Sequence, residues 1–418
     1  MSRIVRIDVG RFDYRFRGEF KFFPPGKDGV VRRPSVLVRI VDEEGAVGWG
    51  QAVPIPAWTY ETPETVESTL REYLAPALVG ADPTDLAGIH ERMNRAIRPA
   101  FSVGQPLCKA AIDLACFDLL GKRLGLPGYA TLAVLAEGNV PEDSGGGQRA
   151  GQRAGVVSAA AGDRAPGAGG GIAGQPSSAP SITFSWTVNT TDLAVAERLL
   201  EEGRRLGYRN FNIKVGPPQT PEYDVRLAKL VREFEPDGFL WCDANVGYTL
   251  ETAVEVSSKL ADVGADVLES PLPPNRISDY QALKRYGALP IVMDEGLLSP
   301  VEAEEFARLG MCDGFALKPA RNAGLWPSKG IVEVARKYGL MVLGSGLTDP
   351  DLSLAAAVHL YAWAGIDRPC ALNGPQFLFD ADGQGILRPS GGKLAAPRGP
   401  GLGIPIPEAF EKAVTQAA

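Results

Sequence analysis

The 418-residue chain contains two histidines, His90 and His359, and five cysteines. So few imidazoles leave little room for the commonest general base and the commonest zinc ligand. The cysteines, Cys108, Cys116, Cys242, Cys312 and Cys370, are scattered through apolar contexts. They read as reduced core thiols, not as a disulfide framework or a metal knuckle. No apolar run approaches the roughly 20 residues that span a bilayer, so no membrane partner is expected. The opening stretch, MSRIVRIDVGRFDYRF, alternates like a strand and lacks the apolar centre of a signal peptide. No basic stretch stands out in a chain of net charge −7, which excludes nucleic acid as an expected partner. What remains is the profile of a soluble, cytoplasmic, globular protein, 45% hydrophobic and 22% charged.

The length calls for two domains, or one domain with a cap. Residues 1 to about 65 read as strands, with two apolar runs joined by Glu44-Gly45 in the manner of a hairpin. Helical spacing follows in TPETVESTLREYLAPAL and in PLCKAAIDLACFDLLGKRLG, the latter closed by Gly125. Strands followed by helices predict an α+β unit. Residues 137–180 are rich in Gly, Ala, Ser and Pro and poor in large apolar side chains. Such a segment cannot bury enough surface to offset its ordering entropy, so a disordered insertion without chemistry is expected there. From about residue 181 short apolar runs alternate with amphipathic helical segments, the pattern of βα units around a parallel sheet. Seven or eight units in roughly 200 residues favour a TIM-type barrel over a doubly wound sheet, and KVGPPQTP is no phosphate-binding turn.

The polar residues near the C-terminal ends of these predicted strands carry the chemistry. Lys214, Asp243, Glu269, Asp294 and Lys318 are 29, 26, 25 and 24 residues apart, about one βα unit each. They therefore fall at equivalent positions on successive strands, and in such barrels that rim carries the active site. A lone carboxylate there is usually a helix cap, and a lone lysine a solvated loop residue; five in register are not explained so. Three neighbouring carboxylates repel one another unless a cation compensates them. Oxygen-only ligands on rigid strands suit Mg²⁺, or Mn²⁺. Lysine is a poor base at its reference pKa of about 10.4, and burial beside cations makes it a better one. Two lysines flanking such a metal predict removal of a proton α to a carboxylate, with the charge of the enediolate stabilised. Asn245, in CDANVGY, either orders its loop or touches substrate. His359 lies in an apolar helix and is expected in the core; His90 is expected on a helix surface.

These residues resemble the enolase superfamily, in its mandelate racemase/muconate lactonizing branch. The strings IKVG, DAN, VLESPLPP, MDEG and LKPARNAGL carry the likeness, with GVVRRPSVLVRIVDEEGAVGWGQA and LGSGLTDPDLSLAAA in support. The resemblance implies a modified (β/α)₇β barrel (181–385) with an N-terminal α+β capping domain (1–136) and a C-terminal segment (386–418) packing back on the cap. It implies Asp243, Glu269 and Asp294 as metal ligands and Lys214 and Lys318 as bases on opposite faces of a small carboxylate substrate. It also implies a homo-oligomer. Cap loops would bring Phe22, Phe23, Trp58 and Tyr60 to the substrate, unless these only pack the cap on the barrel. The branch that uses a His-Asp dyad is disfavoured, because neither histidine lies on a late strand. One departure stands out: where the family pattern has Lys-x-Lys, this chain has Asn212-Ile213-Lys214. Period two puts both side chains on one face, so Asn212 costs a positive charge beside the base and leaves an amide to contact substrate. Racemase, epimerase or cycloisomerase chemistry is the leading expectation. A hydro-lyase of a hydroxy or sugar acid with the same site is the alternative, and a non-catalytic acid-binding barrel is the third.

Overall fold

A computed structural model describes residues 2–138, 179–379 and 387–416. The expected insertion lies outside the described residues but for its ends. Strands β1 (Ile4–Arg15), β2 (Arg32–Asp42) and β3 (Val47–Ala52) form an antiparallel sheet, with Gly45 at positive φ in the turn between the last two. Helices α1 (Pro63–Thr69), α2 (Leu86–Ala96), α3 (Pro106–Leu124) and α4 (Gly128–Ala136) follow. The start signal at Thr62 is a capping box with Thr65. VGWGQA explains how α3 sits so close to the sheet: a Cβ on Gly48 or Gly50 would lie 2.0 or 1.9 Å from the Ala115 or Ala111 carbonyl oxygen.

Seven parallel strands follow: β4 (Trp186–Val188), β5 (Phe211–Lys214), β6 (Leu240–Asp243), β7 (Val267–Glu269), β8 (Ile291–Met293), β9 (Gly314–Leu317) and β10 (Met341–Gly344). They pair strictly in chain order. Cys370 and Ala371 close the ring, with parallel bridges to Phe184 on one side and Ser345 on the other. The outer helices are α5 (Leu193–Arg205), α6 (Pro221–Phe234), α7 (Leu250–Asp262), α8 (Ile277–Tyr286), α9 (Pro300–Arg308), α10 (Leu325–Tyr338) and α11 (Asp351–Ala364). This is a modified TIM barrel with a capping domain. The final helix, α12 (Glu408–Gln416), returns to β1, where the Phe410 ring meets Phe12 edge-on at 5.0 Å.

Inside the barrel Trp241, Val267, Val292, Ala316 and Leu343 form a separate apolar layer. The first four each lie two residues before a rim residue, so strand alternation lifts Asp243, Glu269, Asp294 and Lys318 one layer higher, to the open end. The cap is riveted over that end. The guanidinium of Arg33, fully buried, donates to the carbonyls of Val53, Pro54, Leu347 and Thr348, at 2.7, 2.9, 3.0 and 3.3 Å. Asp113 of α3 accepts from the first amides of α10, Leu325 and Trp326. Gly324 is required at this junction: its φ is +113°, and a Cβ would meet Asp113 Oδ1 at 2.2 Å. All five cysteines are free and buried. His359 is a core residue, accepting from Tyr129 N at 3.2 Å with its other nitrogen 3.1 Å from Leu402 O, and burial pushes it down to about 4. His90 differs from expectation: it is half-buried and bonded to Asp113 at 2.8 Å, because α2 packs against α3.

Candidate active site

Lys214, Asp243 and Glu269 are the last residues of β5, β6 and β7, and Asp294 and Lys318 directly follow β8 and β9. Lys214 pairs in register with Asp243, and Asp243 with Glu269. All five side chains are buried. They form an arc over five adjacent strands, with an amine at each end. Lys214 Nζ donates to Asp243 Oδ2, and Lys318 Nζ to Asp294 Oδ2 while standing 3.9 Å from Glu269 Oε1.

The carboxylates are held differently. Burial raises Asp243 and the charges of Lys214, Lys318 and Lys21 outweigh it, leaving a net value below the usual range. Asp243 Oδ1 accepts from Asn245 N at 2.9 Å, and its Oδ2 from Asn245 Nδ2 at 3.1 Å. Glu269 Oε2 accepts from Trp241 Nε1 at 2.6 Å, whereas Oε1 is buried without a hydrogen-bond partner. Burial, then the neighbouring Asp243, pushes this carboxyl up to about 8. Asn245, Val246 and Ser270, which follow these carboxylates, all have positive φ. Strained backbone of this kind persists where surrounding contacts over-determine it. Ser270 Oγ in turn accepts from the Asp294 amide at 3.1 Å.

Among the described residues no three acidic, cysteine or histidine side chains gather around one point; the amines fold onto the carboxylates instead. The donor set nonetheless fits a divalent cation. Its oxygens come from three adjacent strand ends, one of them is an orphaned buried carboxylate oxygen, and its histidine count is zero.

The cap places only some of its expected residues here. Trp58 stacks on Phe22 at 4.4 Å and 10°. Its ring lies 4.6 Å from Lys318 Nζ and 5.8 Å from Lys214 Nζ. Its Nε1 donates to Glu295 Oε1 at 3.2 Å. Phe23 turns into the cap instead, against Phe16 and Arg33, and Phe20 stands 5.9 Å from Lys214 Nζ. Tyr60 is 59% exposed and extends no hydrogen bond into the arc. Asn212 does sit below Lys214 on the same face, but its Oδ1 accepts from Ser185 Oγ at 2.9 Å and Thr187 Oγ1 at 3.1 Å. Its carbonyl is therefore engaged by the barrel interior.

Four residues escaped the sequence reading. Arg321, buried, ion-pairs with Asp294, and burial pulls its guanidinium below the ordinary value. Glu295 joins Trp58 to Asn245 through Oε1. Phe20 joins the roof. Lys21, exposed at the edge of the roof, feels partial desolvation and then the Lys214 charge, which together bring it down to about 8. Arg321 and Glu295 lie inside the quoted strings LKPARNAGL and MDEG, three and one residues past a rim residue, and Phe20 and Lys21 lie in the same expected cap loop as Phe22 and Phe23.

Residues 194–410 match the model described as "Enolase C-terminal domain-like", and residues 27–132 the "Mandelate racemase / muconate lactonizing enzyme, N-terminal domain". The chain belongs to the mandelate racemase/muconate lactonizing enzyme family of the enolase superfamily. It is similar to a chloromuconate cycloisomerase of Pseudomonas putida, 28% identical over 388 residues, covering 90% of each chain. An N-succinylamino acid racemase of Thermus thermophilus is 28% identical over 404 residues, covering 96% of this chain and 94% of the racemase. Among solved structures, the muconate lactonizing enzyme of Pseudomonas fluorescens complexed with muconolactone superposes with a TM-score of 0.78 at 21% identity, over 99% of each chain. A dipeptide epimerase of Enterococcus faecalis, complexed with Mg and L-Leu-L-Tyr, gives 0.76 at 23%, over 97% of this chain and 100% of that one. The family member described here is thus an enzyme, and it shares the capped-barrel fold over its length.

Proposed function

We propose that this enzyme moves a proton at the carbon α to the carboxylate of a small acid, as a racemase, epimerase or cycloisomerase. One observation carries the reading: two buried amines stand at the two ends of an arc of three carboxylates, under one indole. Asp243, Glu269 and Asp294 would hold Mg²⁺, or Mn²⁺. Bound there, the ion would supply positive charge that stabilises the charge building up on the substrate carboxylate. The chain's own groups do the rest. One lysine, as the free amine, takes the α-proton from one face. The other, as the ammonium, returns a proton to the opposite face, and the centre inverts. A cycloisomerase needs only one such transfer, the ring bond forming or opening in place of the second. Trp58, Phe22 and Phe20 cover the arc and exclude water from the charged intermediate. The chloromuconate cycloisomerase and the N-succinylamino acid racemase to which the chain is similar fall in this class and direct the first substrates to try.

The test is α-proton exchange with solvent deuterium, followed by NMR on both enantiomers of N-acylated amino acids. Lys214→Ala should abolish exchange for one enantiomer and spare part of it for the other, and Lys318→Ala should show the reverse. A positioned base contributes about 10²- to 10⁴-fold, so each loss is large. If both variants lose exchange on the same enantiomer, the opposed-base reading fails.

A further inference from the structure

The turn Pro56–Thr59, which carries Trp58, is a rigid piece of the cap. Thr59 N donates to Ile55 O at 2.7 Å and Ile55 N to Thr59 Oγ1 at 2.8 Å, so the turn closes on itself. On one side Arg33 holds the carbonyls of Val53 and Pro54. On the other the buried Glu61 carboxylate accepts from the Leu107 amide of α3 at 2.8 Å. Among the described residues, the indole Nε1 is the one side-chain donor that this turn extends to the rim, and it lands on Glu295 Oε1.

Glu295 is a poor choice of residue for stability alone. Oε1 takes both of its hydrogen bonds, from Trp58 at 3.2 Å and from Asn245 Nδ2 at 3.1 Å, while Oε2 is shut off from water with no hydrogen-bond partner. A carboxylate oxygen left so costs stability. The bonds instead form a chain. Asn245 Nδ2 also donates to Asp243 Oδ2 at 3.1 Å, the oxygen to which Lys214 donates. Set between two carboxylates, the amide must present its nitrogen, not its oxygen, to both, which fixes its orientation. Lys318 lies outside this chain. Its ammonium meets Asp294, whose amide is held by Ser270 Oγ and whose carboxylate also meets Arg321.

We propose that Glu295 is a positioning residue for the Lys214 half of the reaction: it takes its place from the Trp58 indole and, through Asn245, holds Asp243 where Lys214 needs it. The proposal rests on the reading of Lys214 and Lys318 as opposed bases, and adds to it a difference between them. The seat of a cap residue governs one proton transfer and leaves the other to the barrel alone.

Solvent-deuterium exchange on the two enantiomers of an N-acylated amino acid tests it, with Lys214→Ala and Lys318→Ala first showing which enantiomer each amine serves. Trp58→Phe keeps a ring over both amines and removes the donor. It should slow exchange on the Lys214 enantiomer about tenfold, the worth of a hydrogen bond to a charged group, and on the other less than about twofold. Glu295→Ala should show the same selectivity, as should Asn245→Gly, which suits the positive φ at that position. Glu295→Gln, which keeps the accepting oxygen, should recover most of what Glu295→Ala loses. The Trp58 indole N–H resonance of the metal-free protein, identified by its loss in Trp58→Phe, gives a readout apart from turnover. It should move most in Glu295→Ala and little in Asn245→Gly. Equal losses on both enantiomers, or an indole resonance indifferent to Glu295→Ala, overturn the inference. Where the lysine variants themselves fail to separate the enantiomers, the opposed-base reading falls and the facial selectivity with it. Where they separate them and Trp58→Phe does not, this inference alone falls.

Discussion

Glu269→Gln isolates the charge on the rim from its shape. The wild-type carboxyl is 1% exposed, keeps one oxygen without a hydrogen-bond partner, and is pushed by burial and by Asp243 from 4.5 up to about 8. A value raised on folding favours the folded state only while both states are protonated, below about 4.5, and that advantage is lost as pH rises to about 8. At 1.36 kcal/mol per unit, the loss approaches about 4 kcal/mol across that window. Glutamine cannot titrate and keeps the hydrogen bond from Trp241 through its own oxygen. In chelator, the variant should therefore gain on the wild type by about 3–4 kcal/mol between pH 4.5 and 8. Denaturant midpoints of the two proteins over this range measure it. A gap that stays constant with pH refutes the reasoning, because Glu269 would then ionise as freely folded as unfolded.

The same site gives the reverse result when Mg²⁺ is added. At a hundredfold excess over its dissociation constant a ligand stabilises the wild type by about 2.7 kcal/mol, and Glu269→Gln should lose most of that gain. Cation binding near pH 7 should also release close to one proton, which calorimetry in buffers of different ionisation enthalpy detects. Equal stabilisation of both proteins would remove Glu269 from the ligand set.

Arg321→Met should destabilise by about 3 kcal/mol, the low end for breaking a buried pair, because Asp294 keeps Lys318; denaturant midpoints read it. Arg33→Met strands four buried carbonyls at about 1 kcal/mol or more each. It should loosen the cap before the barrel, seen as early proteolysis in the 53–62 loop. Trp58→Ala should cut kcat/KM far more than it lowers Tm, since the indole is half-buried in the fold yet faces both amines. A fall in Tm without a loss of turnover would make Trp58 a packing residue.

The rim was legible because two periodicities meet there. Strand alternation fixes which side chains face inward, and the βα repeat brings them to the same height. Lys214, Asp243, Glu269, Asp294 and Lys318 could therefore be read from spacing alone. The roof obeys no such period. Trp58 and Glu295, joined by a hydrogen bond, are 237 residues apart, and Arg33 meets Leu347 across 314. Neither pairing leaves a mark in local sequence. Asn212 shows the limit on the other side. Alternation put it on the right face, but Ser185 and Thr187, which engage its carbonyl, come from the neighbouring strand region and had drawn no attention.

The residues missed in sequence change the electrostatic sense of the site. The arc alone has three carboxylates and two lysines, and it reads as a cation trap with an excess of negative charge. Arg321 and Lys21 add two positive groups, and Glu295 one negative group. Four cations then face four carboxylates, and one of these, Glu269, is raised to about 8. Such a cluster repels no anion at neutral pH. A substrate carboxylate approaching under Trp58 meets a neutral to positive field, focused by the apolar walls of Phe20 and Phe22. The charge that Asn212 withholds from the strand position is thus present nearby, on Lys21 of the cap. Part of the charge that would receive an anion thus belongs to the cap, while Lys214 and Lys318 are fixed at the ends of barrel strands.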